Sequence, residues 1–124
     1  MVVIALFLVL IVGLLVMPGC KELFYNVSGE WTIQLKLNNK TFIYTYTFVG
    51  DSQSGKVYVE GDSLGNYSVV GDNVNFTLEY IDTDGDHTVE VYKGSFSHMD
   101  RLVGTMTYSV EGYQTINGTW SAER

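Results

Sequence analysis

Cysteine and proline are almost missing from this chain: one of each occurs, and both fall within the first twenty residues, as Pro18 and Cys20. A lone thiol closes no internal disulfide, so whatever follows must cohere by packing alone. With no proline after Pro18, no later strand is demoted to a sheet edge on that ground. Positive charge is scarce as well. Seven Lys and Arg stand against fourteen Asp and Glu, a formal charge of -7, and no basic stripe appears anywhere. Such a surface repels phosphate backbones, so no nucleic-acid partner is expected. The only histidines are His87 and His98. With Cys20 they make too small a set for a zinc site or a catalytic triad. No serine sits in a nucleophile-elbow pattern, and no acid, base and nucleophile converge. Neither catalysis nor a cofactor is expected.

What is present divides at Lys21, the first side chain charged at neutral pH. Residues 2–17 are almost wholly Val, Ile, Leu, Ala and Phe, interrupted only by Gly13. That run is short for a bilayer span, which needs roughly 20 apolar residues, and suits the apolar core of a signal peptide. Met17-Pro18-Gly19-Cys20 then resembles the lipobox of prokaryotic lipoproteins, where Gly or Ala precedes a Cys that receives a diacylglyceryl group. The resemblance implies lipidation at Cys20, with cleavage leaving that residue at the N-terminus. Residues 1–19 would then be a signal peptide, 20–28 a tether and 29–124 the folded domain. The plainer alternative makes Cys20 a bystander thiol at the end of an uncleaved anchor helix. Either way the expected partner is a membrane of the cell envelope, with the domain facing the periplasm or exterior. Two acyl chains of the palmitate kind anchor stably, at about 0.8 kcal/mol per buried methylene.

From Gly29 onward the dominant period is two, the signature of strands with one buried face. Trp31, Ile33, Leu35 and Leu37 alternate with Thr32, Gln34 and Lys36; Phe42, Tyr44, Tyr46 and Phe48 alternate with Thr45 and Thr47. Further strands are predicted at 56–60, 66–70, 73–80, 87–97, 101–110 and 113–122. Turns rich in Gly, Asp, Asn and Ser separate them. Gly94 suggests a bulge or a close backbone approach. About eight strands joined by short loops predict an all-β domain, an antiparallel up-and-down barrel in which closure removes both edges. The alternative is a β-sandwich, whose crossings usually need one longer connection than any evident here.

Gly29-Glu30-Trp31 at the first strand is similar to the Gly-x-Trp that opens lipocalin barrels, and Trp120 and Arg124 close the last strand. The resemblance implies a lipocalin-like or wider calycin-type barrel. It also implies that Arg124 lies flat on the Trp31 indole in a cation–π contact.

The remaining motifs each carry two readings. Asp82, Asp84 and Asp86, in Asp-Thr-Asp-Gly-Asp, offer alternate oxygen ligands of the kind calcium takes, but no Glu stands at the twelfth loop position. A plain hairpin loop is the simpler reading. The aromatic face, with Tyr44, Tyr46, Phe76, Tyr80 and Tyr108 as candidate ligand contacts, either lines a pocket or fills the barrel. Five Asn-x-Ser/Thr sequons, at Asn26, Asn39, Asn66, Asn75 and Asn117, are glycan acceptors in principle and turn-and-strand composition otherwise. The expected function is a membrane-anchored, non-enzymatic barrel that binds a small apolar ligand or serves envelope maintenance. The alternative is an interaction module, an inhibitor or assembly factor, for another envelope protein. Ile43, Val49, Tyr58 and Val70 fall on faces that ought to be solvated, and a contiguous patch there would favour that alternative.

Overall fold

A computed structural model describes residues 25–124; the expected signal segment, Cys20 and the first residues of the expected tether lie outside the described residues. Eight strands follow in order: β1 (Gly29–Leu37), β2 (Lys40–Gly50), β3 (Ser54–Val59), β4 (Asp62–Val70), β5 (Asn73–Ile81), β6 (His87–His98), β7 (Arg101–Val110) and β8 (Ile116–Glu123). Each pairs antiparallel with the next, and β8 returns to β1 with Thr32 opposite Glu123 and Leu35 opposite Trp120. The sheet is therefore a closed up-and-down barrel, and the sandwich alternative falls.

Alternation along each strand dictates what is inside. Trp31, Ile33 and Leu35 of β1, Val74, Phe76 and Leu78 of β5, and Thr88, Glu90 and Tyr92 of β6 all point inward and are buried. Their neighbours in sequence face solvent. Four hairpin loops hold only two residues, 38–39, 60–61, 71–72 and 99–100, and the first two of these place both residues in the left-handed region. Asn38 and Asn39 (φ 48° and 65°) join β1 to β2, and Glu60 and Gly61 (φ 53° and 87°) join β3 to β4. Two consecutive left-handed residues give the backbone twist that matches the flanking strands.

Three boundaries differ from the sequence reading by two residues or more. The expected turn over 61–65 shrinks to Glu60-Gly61, and β4 starts at Asp62 instead of residue 66. Polar and glycine residues there pair as strand because Leu64 bulges out of the ladder: Val57 faces Gly65 while Tyr58 faces Ser63. β3 starts at Ser54, two residues early, because Gly50 faces Gly55 across β2. β8 begins at Ile116, since residues 111–115 form the connecting loop.

Gly94 marks a close approach, while the register irregularity of β6 falls later, between Phe96 and His98. Gly94 faces Gly104 on β7, and Gly104 faces Trp120 on β8. A Cβ at Gly94 would stand 2.5 Å from the indole of Trp120. Gly94 thus leaves a slot for that ring, whose Nε1 donates to the carbonyls of Thr105 (3.0 Å) and Lys93 (3.3 Å), while Gly104 lets the β6 backbone come close.

Up-and-down order sorts the connections by end. Loops 38–39, 60–61, 82–86 and 111–115 lie at one end of the barrel. Loops 51–53, 71–72 and 99–100, residues 25–28 and Arg124 lie at the other.

Candidate functional site

The end that receives residues 25–28 is sealed. Val27 is fully buried, and its carbonyl accepts a 2.7 Å hydrogen bond from Trp31 Nε1. Tyr25 packs on Phe96 with centroids 5.0 Å apart, and Phe96 meets the Trp31 ring at 6.2 Å. Arg124 lies over Trp31, its Cζ 4.5 Å from the ring centroid. Its guanidinium donates to the carbonyls of Asn26 (2.6 Å), Ser28 (3.2 Å) and Met99 (2.8 Å), and to Asp100 Oδ1 (3.1 Å). One cation therefore ties together the incoming strand, the 99–100 turn and the last residue.

The middle is filled by rings. Phe76 stacks on Tyr92 with centroids 4.3 Å apart, and Trp120 meets both edge-on at 5.4 and 5.7 Å. Phe48 and Tyr46 complete the cluster against Phe76. Edge-to-face pairs contribute about 0.5–1.5 kcal/mol each beyond the area they bury. No ligand fits among them.

At the far end the rings part. A cavity of about 320 Å³ opens there, lined by Leu35, Leu37, Phe42, Tyr44, Tyr80, Tyr108 and Ile116, with Asn38 and Lys40 at the lip and Glu90 on its wall. Phe42 and Tyr44 are 38% and 39% exposed, large values for inward-facing aromatics, because nothing within the barrel covers them. Their rings run parallel, 6.4 Å apart, and Tyr44 continues the row to Tyr46 at 6.1 Å.

Glu90 is the unexpected member. It is 6% exposed, and none of the three ion pairs among the described residues includes it. Tyr92 donates to its Oε1 and Tyr80 to its Oε2, each at 2.5 Å. Tyr46 lies 3.0 Å from the Tyr92 hydroxyl and, since that hydroxyl spends its proton on Glu90, donates to it. Removing a carboxylate from water costs several kcal/mol. Two hydrogen bonds to a charged acceptor return about 1.5–3 kcal/mol each. Burial pushes the hydroxyls of Tyr46, Tyr80 and Tyr92 far above the ordinary phenol range, and the negative charge of Glu90 adds to it in all three. Tyr44 and Tyr108 are raised too, by burial first and then by Glu90.

Of the candidate ligand contacts named from the sequence, Tyr44, Tyr80 and Tyr108 line the cavity, while Tyr46 and Phe76 belong to the packed middle. Gly29, Trp31 and Arg124 gather at the sealed end, and Trp120 sits in its glycine slot. Asp82, Asp84 and Asp86 bring carboxylate oxygens within 4.8 Å of one another. Asp82 Oδ1, however, accepts the backbone N–H groups of Asp84 and Asp86, both at 2.9 Å. Asp82 thus holds the turn. Ile43, Val49 and Val70 are exposed, but Thr45 and Thr47 separate the first two along β2, and Tyr58 is half-buried. Asn39, Asn66, Asn75 and Asn117 of the sequons are exposed, whereas Asn26 Oδ1 accepts the Ser28 N–H at 3.0 Å.

No protein-family model matches the chain, and no curated protein matches it in sequence. Solved structures do match in shape. The structure of EF1p2_mFAP2b bound to DFHBI superposes with a TM-score of 0.64 at 12% identity, over 79% of this chain and 93% of that one. A redesigned β-barrel, mFAP1, bound to DFHBI gives 0.56 at 12% identity, over 84% and 98%. At that identity the likeness establishes the class, a closed β-barrel, and nothing finer.

Proposed function

We propose that this protein is a non-enzymatic binding barrel of lipocalin-like build, held at a cell-envelope membrane through lipidated Cys20, that takes a small amphipathic molecule into its open end. One observation carries the reading: among the described residues, side chains pack the middle of the barrel and an aromatic cavity opens at the mouth. A volume of about 320 Å³ lies at the lower end of the range typical of small-molecule sites. Both structural neighbours are barrels named as bound to a small molecule, DFHBI. The sequence reading expected an apolar ligand; Glu90 on the wall calls for one that also carries a polar group. Residues 25–28 pass the sealed end, so a tether upstream of them leaves the mouth facing away from the membrane.

Native mass spectrometry of the protein purified from its own host tests the ligand. A small organic molecule recovered at one per chain supports the reading. A consistently empty barrel favours an interaction module instead. For the anchor, Cys20→Ser should release the protein from membranes, and undiminished membrane association would point to an uncleaved helix.

A further inference from the structure

We propose that the cavity at the open end takes an organic cation, an ammonium ion on an apolar body, with Glu90 as its counter-charge and Phe42, Tyr44, Tyr80 and Tyr108 as the π-faces around it. The inference rests on reading that cavity as a ligand site, and it names the ligand's chemistry.

Three independent features converge. Glu90 is a buried carboxylate with no cationic partner among the described residues, and it lies on the cavity wall. Its two hydrogen-bonded phenols use one acceptor direction on each oxygen, and each oxygen retains another. Four aromatic side chains, Phe42, Tyr44, Tyr80 and Tyr108, share the remaining wall with aliphatic Leu35, Leu37 and Ile116. An aromatic face attracts a cation through its quadrupole, most strongly where water is excluded, and several such faces around one carboxylate suit a substituted ammonium ion.

The third feature is the field at the mouth. Glu60 and Asp62, Asp82, Asp84 and Asp86, and Glu111 all stand in or beside the open-end loops, against Lys40 alone at the cavity lip. Of the sealed-end loop acids Asp51, Asp72 and Asp100, Asp100 is paired with an arginine, as is Glu123 at the end of β8, and Asp51 Oδ1 accepts the Gln53 and Ser54 N–H groups of its own turn. Acidic groups around a low-dielectric opening raise the local concentration of cations and repel anions. The aspartate loop thereby acquires a role that needs no bound metal. Tyr44 and Tyr108, whose hydroxyls feel Glu60 and Asp82 respectively as well as Glu90, show that the rim and the wall act on the same space.

The test uses three probes that share a benzene ring and a two-carbon spacer: 2-phenylethylammonium, neutral 2-phenylethanol and anionic 3-phenylpropanoate. Each is measured by equilibrium dialysis against the full chain in a neutral maltoside detergent, with protein-free micelles as the blank. The ammonium ion should bind at least tenfold more tightly than the alcohol, and the carboxylate least. Glu90→Gln, which keeps an amide oxygen for one tyrosine and an N–H for the other hydroxyl, should lower ammonium binding at least tenfold and leave the alcohol within about threefold. Should that variant fail to fold, Tyr44→Leu at the exposed lip removes a π-face without entering the packed middle, and it should lower the ammonium-to-alcohol ratio several-fold. An alcohol that binds as well as the ammonium ion, or a carboxylate that binds best, overturns the cation assignment and leaves the ligand cavity standing. Silence from all three overturns both.

Discussion

The two ends of this barrel are built from similar residues and do opposite things. At the sealed end Trp31, Phe96 and Tyr25 meet one another, and Arg124 caps them with its charge turned toward carbonyls that the chain itself brings there. At the open end Phe42, Tyr44 and Tyr108 are just as inward in register, yet no segment among the described residues crosses to cover them. The difference lies in what each end does with a charge. Arg124 finds five acceptors within the protein, counting both contacts of Nη1, the Nη2 contact, the Nε contact and the indole face. Glu90 finds two phenols and, among the described residues, no cation. A completed set of partners closes an end; an incomplete set keeps one available.

The largest test of that contrast is Trp31→Ala. It should cost about 3–5 kcal/mol in denaturant unfolding, the range for emptying a buried aromatic site, and a loss below about 1 kcal/mol would mean the sealed end carries little of the fold. Next comes alkali. Tyr46, Tyr80 and Tyr92 hold their protons more tightly when folded than when unfolded, so the unfolded chain binds fewer protons as pH rises. Their contribution is complete below about pH 10, the ordinary phenol value, and is lost above it. Melting temperature followed against pH should fall there, with part of the tyrosinate absorbance appearing only as the barrel unfolds. A tyrosinate titration finished before any unfolding would contradict it. Gly94→Ala presses a methyl into the Trp120 ring and should destabilise by about 1–3 kcal/mol. Its partner prediction is a red-shifted or broadened Trp120 fluorescence relative to the parent, with Trp31 unaffected. Smallest of all, Tyr44→Leu at the open lip should change stability by less than about 0.5 kcal/mol, as expected of a half-exposed residue outside the core. An effect as large as that of Trp31→Ala would erase the distinction between the ends.

Much of the architecture was legible because each strand repeats one simple rule. Eight runs of alternating side chains with short polar turns leave little besides a closed meander, and Trp31 and Arg124 lie where the lipocalin likeness puts them. The boundaries at Asp62 and Ile116 were less legible. At Asp62, glycine, serine and asparagine look like turn in sequence, and pairing with a neighbouring strand converts them to ladder, whereas at Ile116 the strand-like Tyr113, Gln114 and Thr115 find no partner strand among the described residues and stay in the loop. Glu90 escaped for a different reason. In His87–His98, Val89 and Val91 are apolar and Glu90 is charged, so the run invites a phase with the valines inside. Tyr92 and Phe96 set the opposite phase, and the signal available was that Glu90 shares it. A carboxylate on the same face as the core aromatics is a conflict between residue type and register, and such conflicts are expected at functional or strained positions.

The most direct measurement is a two-dimensional amide and indole NMR titration of the full chain with whichever of 2-phenylethylammonium or 2-phenylethanol binds. Ligand in the mouth predicts shifts concentrated at Leu37, Phe42, Tyr44, Tyr80, Glu90, Tyr108 and Ile116, with the Trp31 indole N–H unmoved beside the Val27 carbonyl. Shifts centred instead on Trp31 and Arg124, or on the outer wall around Ile43, would contradict a binding barrel open at one end.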